Sequence, residues 1–175
     1  MTVITPTYNN ITLTGQLITN PSKSFTRPAN VTAYASGQLV ANSTTAGSVV
    51  PTNTTVSRLS TFGFVTIQRV KLFKSGTSTT NASFRVHMFS SLPTVANGDG
   101  GALSMSNVAG YLGSVDISTS QAFTDGAAGF SDNTFRNISV CMTTGTDVYA
   151  LIEARAAYTP ANAEVFTVGF DIIQG

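Results

Sequence analysis

One imidazole, one thiol and 8 carboxylates are the groups through which this chain of 175 residues could perform acid–base, nucleophilic or metal chemistry. His87 and Cys141 fall two ligands short of a structural zinc site, and a lone cysteine closes no intrachain disulfide. A Ser-His-Asp triad would have to use His87, and no Gly-x-Ser-x-Gly elbow accompanies it. His87 lies in Ser83-Phe84-Arg85-Val86-His87-Met88-Phe89, whose alternation puts Phe84, Val86 and Met88 on one strand face and Arg85, His87 and Phe89 on the other. It reads as a hydrogen-bonded strand histidine. None of Lys23, Lys71 or Lys74 sits in a Gly-x-x-x-x-Gly-Lys frame, which argues against nucleotide hydrolysis.

The carboxylates are Asp99, Asp116, Asp125, Asp132, Asp147, Glu153, Glu164 and Asp171. A glycosidase pair among them would need a sugar cleft, yet there is no Trp platform and the tyrosines are scattered. Glu153 and Arg155, two apart on a strand, read as a same-face ion pair on the surface. Asn97-Gly98-Asp99-Gly100-Gly101 lacks the repeated oxygen ligands and terminal Glu of an EF-hand, so it reads as a flexible turn. The expectation is a chain that is not an enzyme, with no catalytic residue, cofactor or metal. Six sequons, at Asn10, Asn30, Asn42, Asn53, Asn81 and Asn137, are what an Asn-, Thr- and Ser-rich composition makes by chance. No secretory signal is expected in Met1–Gln16, and no stretch is long and apolar enough for a membrane span.

Net charge is only +1, too little for a broad nucleic-acid-binding field, but its distribution is lopsided. Lys23, Arg27, Arg58, Arg69, Lys71, Lys74 and Arg85 precede the first acid, and from Asp99 onward all the acids are joined only by Arg136 and Arg155. Two arrangements produce this. Either strands from the two halves lie side by side and the charges pair within the fold, or basic and acidic edges occupy different surfaces and dock with complementary partners. On the second arrangement Lys23, Arg27, Arg69, Lys71 and Lys74 form a candidate interface. Arg69, Lys71 and Lys74 make one short basic stripe, without the alternating aromatics that a single-strand nucleic-acid binder uses.

The elements that must position these groups are strands. Charged residues are only 10% of the chain, so Thr, Ser and Asn must make the surface polar, and period-two or continuous apolar runs recur between Gly, Asn, Ser and Pro. Strands are predicted at Asn10–Thr19, Gly37–Ala41, Thr54–Leu59, Phe62–Phe73, Ala82–Ser90, Tyr111–Ile117, Thr134–Met142, Asp147–Ala157 and Glu164–Ile173. In Phe62–Phe73 the apolar phase changes between Val65/Ile67 and Val70/Leu72, which predicts a β-bulge at Gln68 and Arg69. Ser91–Val108 and Ser118–Asn133 are long for simple connections and are expected to be functional or mobile loops. Residues 1–24 are an N-terminal arm or a first strand, and 25–175 a single domain. Together these predict an all-β, two-sheet antiparallel β-sandwich of jelly-roll type, with an immunoglobulin-like sandwich as its rival.

Four segments add a resemblance. Phe25-Thr26-Arg27-Pro28-Ala29-Asn30-Val31-Thr32-Ala33-Tyr34-Ala35-Ser36-Gly37-Gln38-Leu39-Val40-Ala41-Asn42-Ser43, Phe84–Phe89 leading to Pro93, Tyr111–Ile117, and Ala154-Arg155-Ala156-Ala157-Tyr158-Thr159-Pro160 resemble bacteriophage structural proteins encoded near the major capsid protein. The resemblance implies a capsid decoration, or cement, protein: a β-sandwich without enzymatic activity, made in the host cytoplasm and bound to the outer face of the virion capsid. Its implied partners are the major capsid protein and further copies of itself, as a homodimer or homotrimer, with no membrane and no specific nucleic acid. A tail- or fibre-associated phage protein and a carbohydrate- or receptor-binding sandwich are the alternatives.

Overall fold

A computed structural model describes residues 17–57, 63–107, 110–132, 134–142 and 145–174. Fourteen strands follow in chain order: β1 (Leu17–Thr19), β2 (Ser22–Thr26), β3 (Leu39–Val40), β4 (Thr52–Thr55), β5 (Gly63–Lys74), β6 (Ser83–Phe89), β7 (Thr94–Val95), β8 (Met105–Asn107), β9 (Tyr111–Ser118), β10 (Gln121–Phe123), β11 (Gly126–Phe130), β12 (Ile138–Met142), β13 (Asp147–Ala154) and β14 (Val165–Gln174). Between β3 and β4 lies a single 3-10 turn, Ala46–Ser48, and no α-helix occurs among the described residues.

The strands form two antiparallel sheets packed face to face, the expected β-sandwich. In the seven-stranded sheet, β5 and β14 are central; β12 and β11 share the far edge of β5, β10 extends β11, and β2 and β1 share the far edge of β14. The five-stranded sheet runs β3-β13-β6-β9, with β4 beside β3 on the same edge of β13. A small β7–β8 hairpin stands apart.

Alternation decides what goes inside. Val65, Ile67, Val70 and Leu72 of β5 and Phe166, Val168, Phe170 and Ile172 of β14 meet Phe84, Val86 and Met88 of β6 and Val148, Ala150 and Ile152 of β13 in one continuous core. Pairing jumps from Ile67↔Ile172 to Arg69↔Asp171, leaving Gln68 as the extra residue of a bulge where the sequence phase changes. Without it, one half of β5 would point its apolar side chains at solvent.

Several expectations need adjustment. Ser22–Thr26 forms a strand that the reading of periodicity passed over, and β2 straddles the boundary placed at residue 24. Ser118–Asn133 is largely a β10–β11 hairpin that extends the seven-stranded sheet. Residues 10–16 of the first expected strand, Arg58, Leu59, Phe62 and Thr144 lie outside the described residues.

Ser91–Asn107, the described part of the segment expected to be a functional or mobile loop, is a brace. The outer face of the five-stranded sheet carries Leu39, Phe89 and Leu151, and this segment lays Val95, Leu103 and Met105 over them as a second core, with Val49 and Tyr149 at its margin. Asp99 fastens it. Its side chain is 3% exposed and accepts from Arg27 Nη2 at 3.0 Å, from the Tyr34 hydroxyl at 2.5 Å and from the Ala41 amide at 2.9 Å. Arg27 Nε donates to the Tyr34 oxygen, and its remaining N–H groups reach Asn30 and the Ala161 carbonyl, so all five donors are engaged. Burial, reinforced by Asp99, pushes the Tyr34 phenol far above its ordinary value. The turn expected to be flexible is thus a buried anchor. A side chain at Gly98 would collide with the Thr44 backbone, which is why the chain can pass there only as glycine.

Candidate binding face

Among the described residues no such segment covers the outer face of the seven-stranded sheet. After the bulge, Arg69, Lys71 and Phe73 alternate outward along β5, while Val70, Leu72 and Lys74 turn inward. Register sets Phe130 of β11 beside Lys71 and Asp171 of β14 beside Arg69. Phe73 and Phe130 meet edge to face with centroids 6.0 Å apart, and the Arg69 guanidinium lies over the Phe130 ring at 5.3 Å. Asp171 accepts from Lys71 Nζ at 2.5 Å and from Arg69 at 2.6 Å. Its partial burial opposes ionisation, but the Lys71 and Arg69 contacts outweigh that and hold the carboxyl below its usual range.

Exposed apolar side chains extend the face in both directions. Phe123 is 55% exposed on the same side as Phe73, and toward the other end Phe64 (63%) stands opposite Cys141, with Ile18 (66%) paired to Ile173. Hydroxyl pairs flank them, Ser24 with Thr167 at 2.7 Å and Thr66 with Ser139 at 3.0 Å. Aromatic and Arg side chains within a hydroxyl-bearing margin are the composition of a protein-binding surface.

The five cations singled out from sequence separate in space. Arg27 is buried under the brace. Lys74 is buried too: its ammonium donates to the Gly76 and Ser78 carbonyls at 2.6 Å, faces Glu164 Oε1 at 3.5 Å and lies 5.0 Å from the Tyr158 ring centroid. Burial lowers the Lys74 pKa and raises that of Tyr158, whose hydroxyl donates to Glu164. Neither Arg27 nor Lys74 has a surface to offer a partner, which corrects their place in the candidate interface. Lys23 is exposed on β2, away from Arg69 and Lys71, which remain together on the open face.

The same pairs account for the lopsided charge. Arg27–Asp99, Arg69–Asp171, Lys71–Asp171, Lys74–Glu164 and Arg85–Asp116 each join a cation from before Asp99 to an acid from Asp99 onward, which is pairing within the fold. His87 Nε2 contacts Glu153 at 3.0 Å and Nδ1 the Tyr111 hydroxyl at 3.2 Å, while Glu153 also takes Arg155 Nη1 at 3.0 Å. Burial holds the imidazole below its ordinary 6.5, and the Glu153 bond offsets this only in part. The Glu153–Arg155 pair expected at the surface therefore belongs to a half-buried network beside the brace.

Sequence reasoning missed the aromatic part of the face. Phe73 is two residues from Lys71 and so visibly shares its side of a strand, but Phe130 arrives only through the β11–β5 register. Among the described residues no cluster of three or more His, Cys, Asp or Glu could hold a metal ion, and no helix is long and apolar enough to cross a membrane. What the fold and face define is a two-sheet sandwich with one outer face partly covered by its own chain and the other crossed by no segment among the described residues. No protein-family model matches the chain, and no curated protein matches it in sequence.

Proposed function

We propose that the chain is a structural virion protein of a bacteriophage, a cement or decoration protein of jelly-roll type that binds the outer surface of the capsid through the bare face of its seven-stranded sheet. One observation carries this reading: the molecule covers one sheet with a dedicated brace and leaves Phe64, Phe73, Phe123 and Ile18 uncovered on the other. Aromatic and aliphatic side chains left exposed among charged and hydroxyl groups on one sheet face are what a protein-binding surface offers. The four-segment resemblance supplies the partner, the major capsid protein, and the expectation of a homo-oligomer.

The physics of such a role is linkage. A module that binds the assembled shell better than free subunits shifts the equilibrium toward the shell, and repetition over a lattice multiplies modest contacts into high avidity. The test is co-sedimentation of the purified protein with expanded capsids lacking it, with shell melting recorded in parallel. Saturable binding at a fixed ratio to the major capsid protein, a raised shell melting temperature, and loss of both in Phe73→Ser with Phe64→Ser are expected. No binding overturns the capsid role and moves the search to tail structures and glycans.

A further inference from the structure

A different part of the molecule offers a second, chemically distinct site. β9 ends the five-stranded sheet: it pairs with β6 on one side and, among the described residues, with no strand on the other. Such an edge presents backbone N–H and C=O groups outward at alternate residues. Over Ile117 and Ser118 that side is occupied by β11, where only a glycine at 129 fits against the Ser118 carbonyl. Over Gly113–Asp116 it opens into a cleft of about 480 Å³, within the ordinary size of ligand sites.

The opposite wall is formed by Asp132, Thr134, Phe135 and Arg136 from the connection between β11 and β12, and by Ile138 at the start of β12. Val115, Phe135 and Ile138 make its apolar part. Asp132 and Arg136 are exposed on the wall, and no ion pair among the described residues engages either. On the strand side, pairing steps from Met88↔Gly113 to Phe89↔Tyr111, so Leu112 is a bulge residue, and Gly113 follows at φ +135, a conformation that disfavours any side chain. A β-bulge at an edge re-aims the strand. Here it turns the backbone of Gly113 toward Ile138, whose Cδ1 would sit 3.5 Å from an added Cβ.

We infer that this cleft receives an extended peptide segment of a partner protein, added as a strand to β9 along Gly113–Asp116. Unpaired strand backbone is the chemistry that recognises another strand, an apolar side chain of the segment has Val115, Phe135 and Ile138 to pack on, and Asp132 and Arg136 select for charge at the flanking positions.

The test sorts a displayed library of random octapeptides against the immobilised full chain and measures enriched peptides by fluorescence polarisation and amide hydrogen exchange. Expected are peptides with an apolar residue flanked by charge, protection on binding of those amides of Gly113–Asp116 that point away from β6, and at least a tenfold weaker affinity for Arg136→Glu at unchanged melting temperature. The inference is overturned if no peptide is enriched, or if enriched peptides bind without altering exchange in β9. It is equally overturned if the protein alone shows concentration-dependent protection of β9 and sediments as a dimer, because the edge then serves self-association.

Discussion

The two outer faces of this sandwich start from the same problem and end differently. Each sheet has one side in the shared core and one side left over. On the five-stranded sheet part of the left-over side is apolar, with Leu39, Phe89 and Leu151 at 0 to 3% exposure beneath the segment Ser91–Asn107, while Arg85, His87, Asp116 and Glu153 form a charged network beside it. On the seven-stranded sheet the left-over side mixes Phe64, Phe73 and Phe130 with Arg69, Lys71, Asp171, Ser24 and Thr167, and no segment among the described residues crosses it. A face that is soluble by itself yet holds exposed aromatics is suited to meeting and leaving water reversibly. The covered face is a matter of stability, and the bare one is available for recognition.

The sharpest way to break this contrast is at the brace. Asp99→Ala leaves the Arg27 guanidinium buried without its counter-charge and should cost about 3–5 kcal/mol in chemical denaturation. A loss below about 1 kcal/mol would mean that Asp99 does not fasten the segment. Phe89→Ala opens a cavity beneath the brace, and a loss of about 3–5 kcal/mol is expected, against an effect within about 0.5 kcal/mol for Phe64→Ser on the bare face. Equal losses at the two positions would erase the distinction.

The titration of His87 refines it further. Because burial lowers its folded pKa below 6.5, the unfolded chain binds a proton more readily, so stability is present above pH 6.5 and declines as pH falls from there toward the folded pKa. Denaturation midpoints across that range should show this slope in the parent and lose it in His87→Gln. Asp116 and Asp171, both held low by their cations, contribute a separate loss that sets in only below their ordinary 3.8. A small effect on stability is also expected from Arg69→Ala, whose half-exposed pair with Asp171 contributes at most about 1 kcal/mol. Its consequence should appear in partner binding and not in the melting temperature.

Much of the sandwich was legible in the sequence because strand alternation is a local property. The faces of β6, the long β5 with its bulge at Gln68 and the final strand all follow from apolar residues recurring every second position. Lys74 shows both the reach and the limit of that signal. Continuing Val70 and Leu72 by two residues already turns Lys74 inward, but a lysine is read as a surface group until a partner is known, and Glu164 lies 90 residues away. Asp99 is the same case: between glycines it has the local appearance of a turn, and only Arg27, Tyr34 and the Ala41 amide make it an anchor.

By itself, then, the sequence determined the all-β class, the inward face of each long strand and the scarcity of groups able to do chemistry, since these depend on residue type and spacing of two. Tertiary structure alone decided which charges neutralise each other, which long segment became a brace, and which sheet face was left open. Those outcomes rest on contacts between residues dozens to more than a hundred positions apart, such as Lys71 with Asp171, and pairing register across sheets sets them, not any local preference.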